Sequence, residues 1–104
     1  MRVRVGDVEL GFTERGTGQP VVLIHGLAED RRHWSLVQER LDNFRTFAYD
    51  LRGHGESGLG DADGTLSQLG RDLIGFLESV TGPAQCVGFS LGGTVALWVA
   101  ATRP

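Results

Sequence analysis

The chain contains no lysine, and all ten of its basic residues are arginines. We interpret this absence as a compositional bias rather than as a site. The 104 residues carry a net charge of −3, which excludes the strongly basic surface that nucleic acid requires. The single cysteine, Cys86, excludes an internal disulfide bond, and no secretory signal opens the chain. We therefore expect a cytoplasmic protein that has no nucleic-acid partner.

Charge is also missing from the long segment 81–102. An uncharged run of this length is compatible with a membrane span. However, Pro83, Gly88, Gly92 and Gly93 interrupt it, and its first part resembles a strand. A buried strand followed by a buried helix lacks charge for the same physical reason. We therefore predict a strand and a helix here, and no membrane partner.

Strand and helix patterns alternate along the chain, whose length fits one domain over residues 1–104. The segments Arg2–Val5 and Val8–Glu14 predict an antiparallel hairpin around Gly6. Later strands are predicted at 21–24, 45–49 and 85–89, and the helices between and after them at about 31–41, 65–80 and 92–102. This alternation predicts an α/β fold with a mostly parallel sheet of about five strands and helices on both faces.

A serine between glycines, Gly88-Phe89-Ser90-Leu91-Gly92, stands where the last strand meets the last helix. In this context a Gly-x-Ser-x-Gly motif forms a nucleophile elbow. The turn is strained, and its neighbouring backbones approach too closely for a β-carbon, so glycine suits both flanking positions. A helix that begins just after Ser90 aims free N–H groups at the site. The alternative is a glycine-rich turn in which the serine is incidental.

Two further stretches support the first interpretation. Leu23-Ile-His-Gly-Leu27 follows the strand at 21–24, and Tyr49-Asp-Leu-Arg-Gly-His-Gly-Glu-Ser57 follows the strand at 45–49. Together with the elbow, they resemble the N-terminal half of the α/β-hydrolase fold family. The similarity is to its esterases, lipases and C–C bond hydrolases, which carry an HG oxyanion loop, a D-x-R-G-x-G-x-S loop and a G-x-S-x-G-G elbow. The resemblance covers essentially the whole chain.

This resemblance implies a site and a sheet topology. By position, Ser90 corresponds to the nucleophile, and the N–H groups of Leu27 and Leu91 correspond to the oxyanion hole. The implied strand order is 1-2-4-3-5, which leaves the strand at 85–89 on an open edge of a truncated core. An apolar open edge favours pairing with another chain. We therefore predict a homo-oligomer formed through this edge.

The resemblance also assigns structural roles. It implies that Asp50, Arg52 and Gly53 shape the loop after the fourth strand, with Arg52 in an internal ion pair or carbonyl clamp. Trp34 is expected in the core or in a pocket wall. The family's catalytic acid and histidine come from strands beyond residue 104, and the usual lid segment is also absent from this sequence.

The catalytic base must therefore be non-standard or supplied by a partner. His25 adjoins the oxyanion loop and is our candidate for a catalytic residue beside Ser90, with a structural hydrogen bond in that loop as the alternative. His54, in the loop after Asp50, is also considered as a base, with a solvated or structural side chain as the alternative. His33 lies on a predicted helix and is expected at the surface or at a pocket rim.

Two functions from different classes fit these features. The first is a serine hydrolase that acts on a small carboxylic ester, without cofactor or metal. The second is a catalytically inactive half-domain that self-associates or serves as an interaction module. A third, dinucleotide binding by Gly53-x-Gly55-x-x-Gly58, is disfavoured because residues 59–64 predict a loop where that motif requires a helix.

Overall fold

The structure, a computed structural model, describes residues 1–61 and 64–103. The strands are β1 (Arg2–Val5), β2 (Val8–Arg15), β3 (Gln19–Ile24), β4 (Phe44–Tyr49) and β5 (Gln85–Gly88). The helices are α1 (Ser35–Arg40), α2 (Leu66–Phe76) and α3 (Leu91–Thr102). A 3₁₀ turn, Arg31–Trp34, precedes α1, and a π-helical turn, Leu77–Thr81, follows α2.

The five strands form one sheet in the order β1-β2-β4-β3-β5, as predicted. β2 pairs antiparallel with β1 and with β4, whereas β3 pairs parallel with β4 and with β5. The carboxyl ends of β3 and β5 therefore lie side by side, with Ile24 opposite Gly88. β5 is an edge strand, and no other described strand pairs with its outer side.

Helices cover both faces of the sheet. Successive side chains of β3 point to opposite faces, so this strand contributes to a core on each side. Val22 and Ile24 join the larger core, which is completed by α2 and α3. Val21 and Leu23 join a smaller core on the other face, together with Trp34 and Ala48. The α/β architecture with a five-stranded sheet is thus confirmed; the sheet is mixed, since only the pairs of β3 with β4 and with β5 are parallel. Trp34 is a core residue. This packing holds the end of β3 rigidly against its neighbours.

Two helices differ from the pattern that their apolar residues predicted. The continuous helix expected over 31–41 is a 3₁₀ turn followed by α1. The N–H of Arg31, at the start of this turn, donates to the carboxylate of Asp50 at 2.7 Å. The helix expected over 65–80 widens after Phe76 into a π-helical turn, which Gly82 closes by donating its N–H to Leu77 O at 2.6 Å.

The uncharged segment forms β5 and α3, as expected. Among the described residues, no helix combines the length and the apolar character needed to cross a membrane.

An internal ion pair braces the loop after β4, as predicted for Arg52. Its guanidinium group donates to both carboxylate oxygens of Asp72 at 2.9 Å and to Asp7 at 2.6 and 3.0 Å. The side chains of Arg52 and Asp72 are 2% and 3% exposed, and the hydrogen bonds from Asp72 and Asp7 raise the pKa of Arg52. The loop is therefore tied both to the β1–β2 hairpin and to α2.

Candidate active site

Ser90 occupies the predicted turn between β5 and α3. Its backbone angles are φ 55° and ψ −113°, which a residue with a side chain rarely adopts. A β-carbon on Gly88 would lie 2.3 Å from the carbonyl carbon of Gly92, so the two flanking residues meet without room for side chains. Ser90 itself is exposed. The turn thus presents a strained serine to solvent at the start of a helix; residues 88–92 are called the elbow below.

The elbow is packed directly on the carboxyl end of β3. The N–H of Phe89 donates to the carbonyl oxygen of Ile24 at 3.0 Å. A β-carbon on Gly92 would lie 2.1 Å from that same oxygen and 2.7 Å from the carbonyl oxygen of His25. The segment after β3, residues 25–29, is called the β3 loop below. Ser90 and the β3 loop are therefore neighbours whose separation is fixed by backbone contacts.

Three N–H groups of the β3 loop have acceptors among the described residues. The N–H of Gly26 donates to the Glu29 carboxylate at 3.2 Å, and the N–H of Ala28 donates to His54 Nε2 at 3.1 Å. The N–H of Glu29 closes a turn onto Gly26 O at 3.2 Å. The N–H of Leu27, one of the two predicted oxyanion donors, has no acceptor among the described residues.

The second predicted donor belongs to the first residue of α3. Two of the N–H groups that follow are taken, since Gly92 donates to Phe89 O at 3.0 Å and Thr94 donates to Ser90 O at 3.1 Å. The N–H of Leu91 has no hydrogen-bond acceptor in the described part of the chain. It lies at the amino end of a helix, where the helix dipole attracts negative charge.

His25 is fully buried, and both of its ring nitrogens are engaged with backbone atoms. The N–H of Leu51 donates to Nε2 at 3.0 Å, so the ring proton must be on Nδ1, which donates to Gly26 O at 2.7 Å. Burial lowers the pKa of His25, which favours this neutral form. No hydrogen bond joins His25 to Ser90 within the described residues. The arrangement favours the structural alternative for His25 over a role as base.

The other two histidines also face the β3 loop without reaching Ser90. The rings of His54 and His25 have centroids 5.1 Å apart. His33 stacks on the ring of Phe89, with centroids 4.9 Å apart and planes 28° apart, and its Nδ1 lies 3.5 Å from Glu29. Among the described residues, neither donates to or accepts from Ser90. Sequence reasoning missed both contacts, because neither histidine follows a periodic pattern.

Ser90 opens onto an apolar groove of about 890 Å³ between the edge of β5 and α3. Its lining includes Gly88, Ser90, Cys86, Ala96, Leu97 and Ala100. Burial raises the pKa of the Cys86 thiol, so this cysteine stays protonated and is a poor nucleophile at neutral pH. The described residues hold no group of three or more His, Cys, Asp or Glu side chains arranged for a metal ion.

The fold and the elbow define a class of protein, and sequence comparison identifies the same class. The profile of the alpha/beta hydrolase family matches residues 21–103. The chain therefore belongs to this family, which confirms the resemblance found in its motifs. The match includes β3, the β3 loop, the loop after β4 and the elbow.

Individual relatives are hydrolases and esterases. The chain is 34% identical to a 2-hydroxy-6-oxo-6-(2'-aminophenyl)hexa-2,4-dienoic acid hydrolase of Metapseudomonas resinovorans, over 93% of this chain and 36% of that protein. It is 42% identical to a pimeloyl-[acyl-carrier protein] methyl ester esterase of Methylococcus capsulatus, over 86% and 34% respectively. A thermophilic esterase of Thermogutta terrifontis superposes with a TM-score of 0.88 at 37% identity, over 97% of this chain and 40% of that one. The chain thus spans little more than a third of the length of these relatives.

Proposed function

We propose that this chain provides the nucleophile and the oxyanion hole of a serine hydrolase that acts on carboxylic esters. The observation that carries the proposal is the strained backbone of Ser90, held against the β3 loop by Gly88 and Gly92. The free N–H groups of Leu27 and Leu91 support it, and so do relatives named as esterases. In other enzymes, removal of one oxyanion donor reduces the rate by about 10²–10³.

The reaction proceeds in two steps. Ser90 Oγ attacks the ester carbonyl carbon and its proton passes to a base, while the developing oxyanion accepts hydrogen bonds from Leu27 and Leu91. The carbon–oxygen bond to the alcohol then breaks, and the alcohol leaves with the proton. Water adds to the acyl group in the same way, which releases the carboxylic acid and restores the serine.

The base lies outside the described residues in this proposal. It is supplied either by further residues of a longer protein or by a second chain. Without it, some activity is still expected, because an oxyanion hole and substrate binding alone leave about 10³–10⁴-fold catalysis over water in a serine protease without its triad.

The test is covalent labelling of Ser90 by a fluorophosphonate, together with hydrolysis of a short-chain p-nitrophenyl ester. Ser90→Ala is the test variant, and Ser79→Ala is the matched control, since Ser79 is also exposed and lies on the π-helical turn. We expect the wild type and Ser79→Ala to gain one label, as seen by intact mass, and Ser90→Ala to gain none. An unlabelled wild type that also fails to hydrolyse the ester contradicts the proposal.

The edge of β5 favours a second candidate, a half-domain that associates through this edge. Val87 is 46% exposed, and the apolar groove with Leu97 lies beside it. Light scattering at micromolar concentration should then give a mass above the 11.2 kDa of one chain. Leu97→Glu should reduce association, whereas Leu36→Glu on α1, of similar exposure (71% against 73%), should not. A monomeric wild type rules this candidate out.

A further inference from the structure

We propose that His54 positions the oxyanion hole: its Nε2 atom accepts the N–H of Ala28 and thereby holds the β3 loop with the N–H of Leu27 free. The inference rests on the proposed function, because it names a residue that would set the geometry of the same site. His54 itself does not touch the reacting atoms. It is a positioning residue, and its effect on Ser90 chemistry passes through Ala28 and Leu27.

The first support is the conformation of the β3 loop. Ala28 has a φ of 62°, which is in the left-handed region that favours glycine. A residue with a side chain keeps such a conformation only where its surroundings enforce it. The turn from Glu29 N–H to Gly26 O is internal to the loop. Among the described residues, Ala28 makes its hydrogen bond outside the loop to His54, which lies 26 residues further along the sequence.

The second support is that the imidazole is itself held in place. Because the N–H of Ala28 donates to Nε2, the ring proton of His54 must be on Nδ1, which lies 3.0 Å from Arg52 O. Arg52 is fixed in turn by its buried pair with Asp72 and by Asp7. His54 therefore transmits a rigid part of the fold to the β3 loop.

The third support is a reciprocal link through the buried His25. His25 belongs to the β3 loop and accepts the N–H of Leu51 from the loop after β4. His54 belongs to the loop after β4 and accepts the N–H of Ala28 from the β3 loop. Each loop thus supplies one imidazole that accepts a backbone N–H of the other loop. Both bonds require a neutral ring with its lone pair on Nε2.

Two amide variants separate the bond from the rest of the side chain. In His54→Gln the side-chain oxygen can reach about as far as Nε2 and can accept from Ala28. In His54→Asn the side-chain amide can still donate to Arg52 O, but its oxygen is too short to reach Ala28. Asparagine therefore keeps the local anchor and removes the link, whereas glutamine keeps the link.

Three measurements apply to these proteins. The ¹⁵N shifts of the His54 ring report its tautomer in the wild type, amide hydrogen exchange reports the protection of Ala28, and the rate of fluorophosphonate labelling reports the reactivity of Ser90. We expect an Nδ1–H tautomer and a protected Ala28 amide. In His54→Asn, Ala28 exchange should rise about fivefold or more, as for one lost hydrogen bond, and labelling should slow about tenfold or more. His54→Gln should restore both.

The outcomes are separable. An Nε2–H tautomer, or unchanged Ala28 exchange in His54→Asn, overturns the proposal, as does faster exchange with unchanged labelling. If the wild type is neither labelled by the probe nor able to hydrolyse the ester, the proposed hydrolase function fails, while the tautomer and exchange data still decide whether His54 holds the loop. If His54→Asn does not fold, as judged by circular dichroism, the wild-type tautomer and the glutamine variant decide.

Discussion

Substitution of Gly92 by alanine should destabilise the fold, because the added methyl group has no room beside β3. The new β-carbon would lie 2.1 Å from the carbonyl oxygen of Ile24, 2.6 Å from its carbonyl carbon and 2.7 Å from His25 O. All three are backbone atoms, and Ile24 lies on a strand that pairs on both sides. The strand cannot shift without breaking its hydrogen bonds, so α3 and the elbow must move instead.

The magnitude follows from two opposing terms. Overpacking of a tight site costs about 1–3 kcal/mol, and contacts to a constrained backbone place Gly92→Ala at the upper end. Alanine in a helix gains at most about 1 kcal/mol over glycine. The net loss in the free energy of unfolding is therefore about 2 kcal/mol, which for a domain of this size lowers the melting temperature by about 8–16 °C.

Gly93→Ala is the matched control, one residue further along α3. Its β-carbon would meet Gly88 O at 3.3 Å, a close contact that a small adjustment relieves. The cost of this contact roughly offsets the gain in helix propensity from glycine to alanine. The free energy of unfolding of Gly93→Ala should therefore lie within about 0.5 kcal/mol of the wild-type value. The assay is urea unfolding followed by circular dichroism. Equal stability of the two alanine variants would show that the elbow does not press on β3 and would refute the reasoning.

Three further predictions concern stability. Ser90→Gly should be about 1 kcal/mol more stable than Ser90→Ala, because glycine relieves a strain of about 1–3 kcal/mol at φ 55°. Equal melting temperatures of the two variants would contradict this. Arg52→Gln leaves the buried Asp72 carboxylate without its ionic partner and should lower the free energy of unfolding in urea by about 3–5 kcal/mol. The control Arg45→Gln removes a more exposed ion pair with Glu14 and should lower it by less than about 1 kcal/mol. Similar losses in the two variants would count against a structural role for the buried pair. Burial lowers the pKa of His25 below its usual value, so the folded state binds fewer protons than the unfolded state, and stability should fall as the pH drops from about 7.5 to about 5.5. His25→Gln should show a shallower fall over that range, and an unchanged slope would exclude His25 as its source.

Patterns among residues close in sequence predicted most of the strands and helices of the fold. Alternating apolar residues located the two strands of the hairpin, short apolar segments located the other three, and the motif resemblance supplied their order. The same resemblance placed Arg52 in an internal ion pair or a carbonyl clamp, and the contacts with Asp72 and Asp7 show the ion pair. Glycine on both sides of Ser90 indicated a tight turn, and the contact between Gly88 and Gly92 accounts for that choice.

Local periodicity predicted the two altered helices less well. The residues 31–41 have helical spacing, yet residues 31–34 form a 3₁₀ turn that begins at a contact with the distant Asp50. The helix expected over 65–80 changes to a π-helical turn after Phe76. Apolar spacing locates a helical segment but does not distinguish these variants from an α-helix.

The sequence by itself determined the α/β class, the position of the elbow and the identity of the serine, since these depend on residues within a few positions of one another. Only the tertiary structure decided which N–H groups stay free and what the histidines do. His25 and His54 each find their backbone partner 26 residues away. Hydrogen bonds of this kind follow no spacing rule, because they form only after two loops have been brought together by the packing of the sheet.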